Sequence, residues 1–225
     1  MKAFLRKYGI PLAALPALVL CVLFVSDNKR AALVSTVFAV LACVPFFLSF
    51  ERGKSSSKKL MIVAVMTALS VLGRFVFAPL PAFKPVTALV VITAMYLGSR
   101  AGFMTGALSA VLSDFYFGQG PWTPFQMLSW GLIGFAAGIA APALKKSRVL
   151  LALYGIAAGA VFSLIMDVWT VVWYDGSFKP GLMLAAVTAS LPFTAIYAVS
   201  NALFLLLLAK PVGKKLDRLT LKYGI

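Results

Sequence analysis

Histidine is absent from this chain of 225 residues, and acidic side chains are scarce, with 6 Asp and Glu against 21 Lys and Arg. The missing histidine removes the commonest general base, the commonest metal ligand and any Ser-His arrangement. Cys21 and Cys43 stand inside apolar runs without CxxC spacing, which marks small buried hydrophobes rather than a disulfide or metal pair. There is no GxxxxGK[ST] loop, so the chain cannot power transport by itself. An Arg-rich voltage-sensor run and a repeated filter sequence are lacking too. No catalytic centre, cofactor or metal is expected.

What remains is overwhelmingly apolar. Hydrophobic residues make up 62% of the chain and charged ones 12%, with a mean hydropathy of +0.98. A soluble domain carries about 25% charged residues, so the solvent for this surface is lipid. A net charge of +15 would suit nucleic acid. The basic residues, however, fall in short clusters between apolar runs, as membrane-flanking charge does, and no nucleic-acid partner is expected.

The charge-free runs 8–26 and 31–50 are each long enough to cross the bilayer and form an N-terminal hairpin over residues 1–52. Lys2, Arg6 and Lys7 ahead of the first run resemble a signal peptide, but Pro11, Pro16 and the lack of a small-residue cleavage site favour a retained helix. A basic, Ser-rich linker follows at 53–59. Six further spans are expected near 60–77, 84–99, 101–117, 123–142, 149–173 and 180–209. The last holds Pro192 and is either one tilted, kinked helix or a broken one. The expected fold is thus an all-α polytopic membrane protein: a two-helix hairpin, a six-helix core over 60–210 and a basic cytoplasmic tail over 211–225.

With the N-terminus in the cytoplasm, sixteen Lys and Arg lie inside and five outside, a strong positive-inside bias that places both termini in the cytoplasm. The same topology gathers the aromatic, proline-rich loops 74–84, 117–123 and 173–179 on the outer face.

Asp114 and Asp167 lie near the outer ends of their spans, where a carboxylate is costly unless paired or wetted. Arg74 and Lys84 are the obvious partners. A structural ion pair and a ligand contact need the same geometry. Phe75, Tyr116, Trp130, Trp173 and Tyr174 belong either to the interfacial aromatic belt or to a site. Trp122 stands in a loop with Gln119, Thr123 and Gln126, one stacking face among amides and a hydroxyl, which suits a polar ligand with a ring-shaped body. Asn201 adds an amide from the last span. Small residues four apart recur at Gly102/Gly106, Gly134/Gly138, Gly155/Gly159 and Ala64/Ala68 and permit close helix approach.

Gly73-Arg74-Phe75, Phe83-Lys84-Pro85-Val86-Thr87, the stretch GQGPWTPFQM over 118–127, Trp130-Gly131 and the Ala64/Ala68 pair together resemble the S-component, the substrate-binding subunit, of an energy-coupling-factor (ECF) vitamin transporter. The subgroup most similar includes cobalamin-specific members. The resemblance covers residues 60–209 and leaves the first two helices outside the family's six-helix core. It implies a bacterial plasma-membrane protein that captures a vitamin, cobalamin or a related compound, at the outer face. It also implies a membrane T-component and two cytoplasmic ATPases as partners, with Ala64 and Ala68 as the docking surface. The face of that pair alternatively packs within the chain. A self-sufficient proton-coupled carrier, with Asp114 or Asp167 as relay, is the alternative function.

The topology has a direct check. A cysteine introduced beside Lys222 is expected to stay unlabelled by an impermeant maleimide in intact cells, and labelling from outside would reverse the sidedness of the chain.

Overall fold

A computed structural model describes residues 57–224, together with nine positions between 36 and 48. The described core consists of helices α1 (Ser57–Val76), α2 (Val86–Leu97), α3 (Ser99–Phe117), α4 (Thr123–Ile139), α5 (Ala141–Lys146), α6 (Arg148–Asp175) and α7 (Pro180–Tyr223). No strand occurs among the described residues. The chain is an all-α polytopic membrane protein, with α1, α6 and α7 each long and apolar enough to cross a membrane.

Helix α1 buries Ile62, Val63, Met66, Thr67, Ser70 and Arg74, a stripe at three- and four-residue spacing. Its other face is equally apolar yet exposed, through Met61, Val65, Leu69, Leu72 and Val76. A helix apolar all round whose outer side is left exposed by the described core suits hydrocarbon. Helix α2 is the opposite case. It has 12 residues, about 18 Å, and all but Tyr96 are buried. It is the axis of the bundle rather than a full span. The expected span 84–99 is shortened at both ends for visible reasons. Pro85 disfavours helical backbone at Lys84, and Gly98 turns the chain at φ 93°. The expected span 123–142 is likewise divided between α4 and α5 at Ala140, because Pro142 has no N–H to extend α4.

Helix α1 begins at Ser57, inside the stretch expected as linker, and α7 runs unbroken through Pro192 and Pro211 to Tyr223. Residues 211–223, expected as a tail, therefore continue the last helix. At 44 residues α7 is about 66 Å long, against about 30 Å of hydrocarbon. Gly213 lets it pass under the Tyr96 ring, and Lys145 Nζ sits 3.9 Å from that ring's centre.

Most of the expected 1–52 hairpin, with Cys21, lies outside the described residues. The described positions at 36–48 are helical, and Cys43 is buried. Phe46 stacks on Phe103 of α3 at 3.9 Å and meets Phe135 of α4 edge-on at 5.0 Å. At least this part of the N-terminal segment packs against the core.

Two helix pairs approach backbone to backbone. A Cβ on Gly134 of α4 would lie 2.5 Å from the Gly102 carbonyl oxygen of α3. One on Gly159 of α6 would lie 2.8 Å from Ala198 Cα of α7. Hydroxyls inside the helices, including Thr67, Thr93, Thr105 and Ser129, donate to the carbonyl four residues earlier, so they cost little in a dry interior.

Gly134→Val is expected to overpack the α3–α4 seam and cost about 1–3 kcal/mol, read as a lower melting temperature in detergent. Gly181→Ala, where an added Cβ meets nothing within 4 Å, is the matched control and should melt like the parent.

Candidate functional site

The 77–85 loop, the 118–122 loop and the C-terminal ends of α1, α3 and α6 lie at one end of the bundle. Arg74 ends the buried stripe of α1 and is 8% exposed, so its charge needs an internal partner. Asp114, fully buried one turn before the end of α3, supplies it: Arg74 Nη1 donates to Asp114 Oδ1 at 2.7 Å and also to Ser113 Oγ. Asp114 Oδ2 accepts from Thr123 Oγ1 at 2.9 Å. Gln126, in the amide orientation that satisfies both groups, donates to Asp114 at 3.2 and 3.3 Å. The guanidinium also lies 4.5 Å from the Phe117 ring centre and 5.3 Å from that of Trp130. One carboxylate thus ties α1, α3 and α4 together.

Trp130 connects this cluster to a second one. Its Nε1 donates to Tyr197 Oη at 2.7 Å, and Tyr197 Oη is 2.5 Å from Thr87 Oγ1. Phe162 stacks on Trp130 at 5.0 Å and meets Tyr197 edge-on at 5.1 Å. Beside them opens a cavity of about 170 Å³ lined by Ala82, Lys84, Phe162, Ser163, Phe193 and Tyr197. The backbone of Lys84 is pinned to α7, donating to Ser200 Oγ at 2.9 Å and accepting from it at 3.3 Å. Burial lowers the Lys84 amine to about 8, helped by the positive charge of Arg74 and opposed by Asp114.

The sequence-derived candidates divide accordingly. Arg74, Asp114, Thr123, Gln126 and Trp130 converge, and Phe75 joins them through Phe117 and Tyr116, at 5.5 and 4.9 Å. Lys84 lines the cavity. Tyr116 is 74% exposed. Gln119 is exposed and folds back to donate to the Val111 carbonyl at 2.8 Å. The amides and hydroxyl expected around Trp122 are therefore used within the protein. Trp122 instead meets Trp169 edge-on at 6.0 Å, and Trp169 stacks on Trp173. Asp167 meets neither cation; it accepts from Ser190 Oγ at 2.8 Å between α6 and α7. Asn201 is fully buried, with neither amide atom hydrogen-bonded. Ala64 and Ala68 are both exposed, opposite the buried stripe of α1, so their face is external to the described core.

Thr87, Phe162, Ser163, Phe193 and Tyr197 are the residues that sequence reasoning passes over. An aromatic in a uniformly apolar run carries no mark of whether it faces lipid or cavity. Thr87 alone had a signal, as a hydroxyl inside the Phe83–Thr87 motif.

Among known proteins, residues 54–214 match the family described as ECF-type riboflavin transporter, S component. A UPF0397 protein of Aliivibrio salmonicida is 26% identical over 148 residues, covering 64% of this chain and 78% of that protein. Another, of Vibrio atlanticus, is 25% identical over 171 residues, covering 71% and 93%. No solved structure matches the chain.

Removing Asp114 leaves a buried guanidinium without its counterion. Asp114→Ala is expected to cost about 3–5 kcal/mol, and the double change Arg74→Met with Asp114→Leu to recover most of it, both read by thermal unfolding. A single variant that melts like the parent would remove the ion pair from its structural role.

Proposed function

The chain belongs to the S-component family of ECF-type riboflavin transporters, the substrate-binding subunits of ECF transporters, and from that premise we propose that it captures a vitamin in the cavity beside Lys84 and Tyr197. The proposed topology puts this end outside and both termini inside. Import is completed with a membrane T-component and two ATPases, which dock through the α1 face bearing Ala64 and Ala68. The role calls for no reaction on the ligand.

The observation that carries this proposal is the cavity itself. It combines aromatic walls from Phe162, Phe193 and Tyr197 with the polar groups of Lys84 and Ser163, the mixture that orients a ring-bearing solute. The stretch 118–127 favours cobalamin or a related compound as substrate, while the family description favours riboflavin. At about 170 Å³ the cavity is smaller than the roughly 300–1,000 Å³ that drug-sized ligands occupy. Either vitamin therefore requires the walls to part, and the α6–α7 pair, which contributes Phe162, Ser163, Phe193 and Tyr197, is the wall that moves.

A self-sufficient proton-coupled carrier would need a carboxylate free to lose and regain a proton. Asp114 is held by Arg74, Thr123 and Gln126 at once, which argues against it as the relay; Asp167, bonded by Ser190, is the carboxylate that reading would have to use.

Trp122→Ala is the weaker probe here, because Trp122 packs on Trp169 instead of lining the cavity. Ala64 and Ala68 give the sharper one. Changing both to Trp is expected to abolish vitamin uptake and co-purification with the T-component while leaving vitamin affinity, by calorimetry on the purified protein, within about twofold of the parent. Normal uptake by the double variant would refute docking through this face. Uptake that persists without partner ATPases would refute the capture role itself.

A further inference from the structure

Lys84 is a cation placed against an aromatic cavity, with no ion-pair partner among the described residues. Among the described residues the ion pairs are Arg74–Asp114 and Lys179–Asp175, and neither involves Lys84. The charges that act on it are Arg74, which repels it, and Asp114, whose oxygens are already engaged by Arg74, Thr123 and Gln126. The lysine cannot easily withdraw. Its backbone is held on both sides by Ser200, and the next residue, Pro85, starts α2. A half-buried ammonium on a backbone held in place carries a desolvation cost that an anion arriving in the cavity would offset, and a charge-assisted hydrogen bond there is stronger than one in water.

We propose that the cavity bounded by Lys84, Ser163, Phe162, Phe193 and Tyr197 is an anion subsite, so that the captured compound is a ring-bearing solute with a phosphate, phosphodiester or carboxylate group. Lys84 takes the anion and the aromatic walls take the ring. This rests on the vitamin-capture role and narrows it. Riboflavin carries no ionised group at neutral pH, its 5′-phosphate does, and cobalamin carries one phosphodiester that cobinamide lacks. An outer-leaflet lipid phosphate offers the same chemistry, so the test separates the two sources.

Affinities of the full-length protein for riboflavin, riboflavin 5′-phosphate, cobalamin and cobinamide are to be measured by calorimetry in phosphatidylcholine nanodiscs, for the parent, Lys84→Met and Lys84→Arg. In at least one pair the phosphate-bearing member should bind the parent about tenfold or more tighter than the member without phosphate, as a charge-assisted contact would give. Lys84→Met should bring that ratio to within about twofold, and Lys84→Arg should keep part of it. The preference should be present at pH 7, with the amine charged, and fade as the pH rises through about 8. A vitamin bound with no preference for its anionic form, or a preference that survives Lys84→Met, overturns the anion subsite and leaves vitamin capture standing. Binding of none of the four counts against capture of these vitamins. The subsite is then decided without them: inorganic phosphate must slow acetylation of the Lys84 amine, followed by mass spectrometry, and no protection overturns it. Protection produced by phosphatidylglycerol nanodiscs alone would assign the anion to lipid and overturn the proposal for a soluble ligand.

Discussion

A guanidinium with 10% of its side chain exposed, in a protein whose solvent is hydrocarbon, has to be neutralised from within. Much of the bundle's loop-rich end is arranged around that requirement. Arg74 comes from α1 and Asp114 from α3. Further lone pairs of the carboxylate are taken by Thr123 and Gln126 at the start of α4. The 118–122 loop between α3 and α4 is therefore held from both ends, by Asp114 on α3 and by Thr123 and Gln126 on α4. Because Trp130 lies under the same guanidinium and also bonds Tyr197, the charge indirectly orients the aromatic wall of the cavity. A buried pair of this kind is weak evidence for net stability, but it is strong evidence for register: a one-residue slip of α1 would leave two charges unpaired in low dielectric.

Those features that depend on cost were legible in the sequence. Opposite charges inside apolar runs must meet, and Arg74 and Asp114 do. Glycines four apart permit backbone contact, and Gly102 with Gly134 and Gly159 with Ala198 make it. The core helices appear where the six long apolar runs are, and their ends are displaced where Pro85, Gly98 and Pro142 act through rules that are also local. What escaped depends on tertiary placement alone. Asp167 meets a hydroxyl, Ser190, on the neighbouring helix, and hydroxyls in apolar helices are too common to single one out. Tyr197 is buried while its neighbour Ile196 is exposed, yet nothing in composition separates the two. Gln119 looks available in a loop and is spent on the Val111 carbonyl.

Helix α2 shows why length is a poor guide inside a membrane protein. Its 12 residues fall far short of the bilayer, but nearly every side chain is covered by protein, so the backbone ends at Lys84 and Gly98 need not reach water through lipid. Sequence hydropathy treats it as one more span. Burial shows it as the surface on which the others are assembled.

The glycine contacts also have a mechanical meaning. Backbone against backbone, α3 with α4 and α6 with α7, cannot shear without atomic overlap, so each pair behaves as a stiff plate. Between the plates the links are side chains: Phe162 on Trp130, Tyr197 to Trp130, and Tyr154 Oη to the Ile133 carbonyl. Side-chain links exchange partners by rotamer changes, whereas backbone contacts of this closeness have no such freedom. Phe162 and Tyr197, which carry two of these links, also line the cavity, so whatever shifts one plate against the other reshapes its wall.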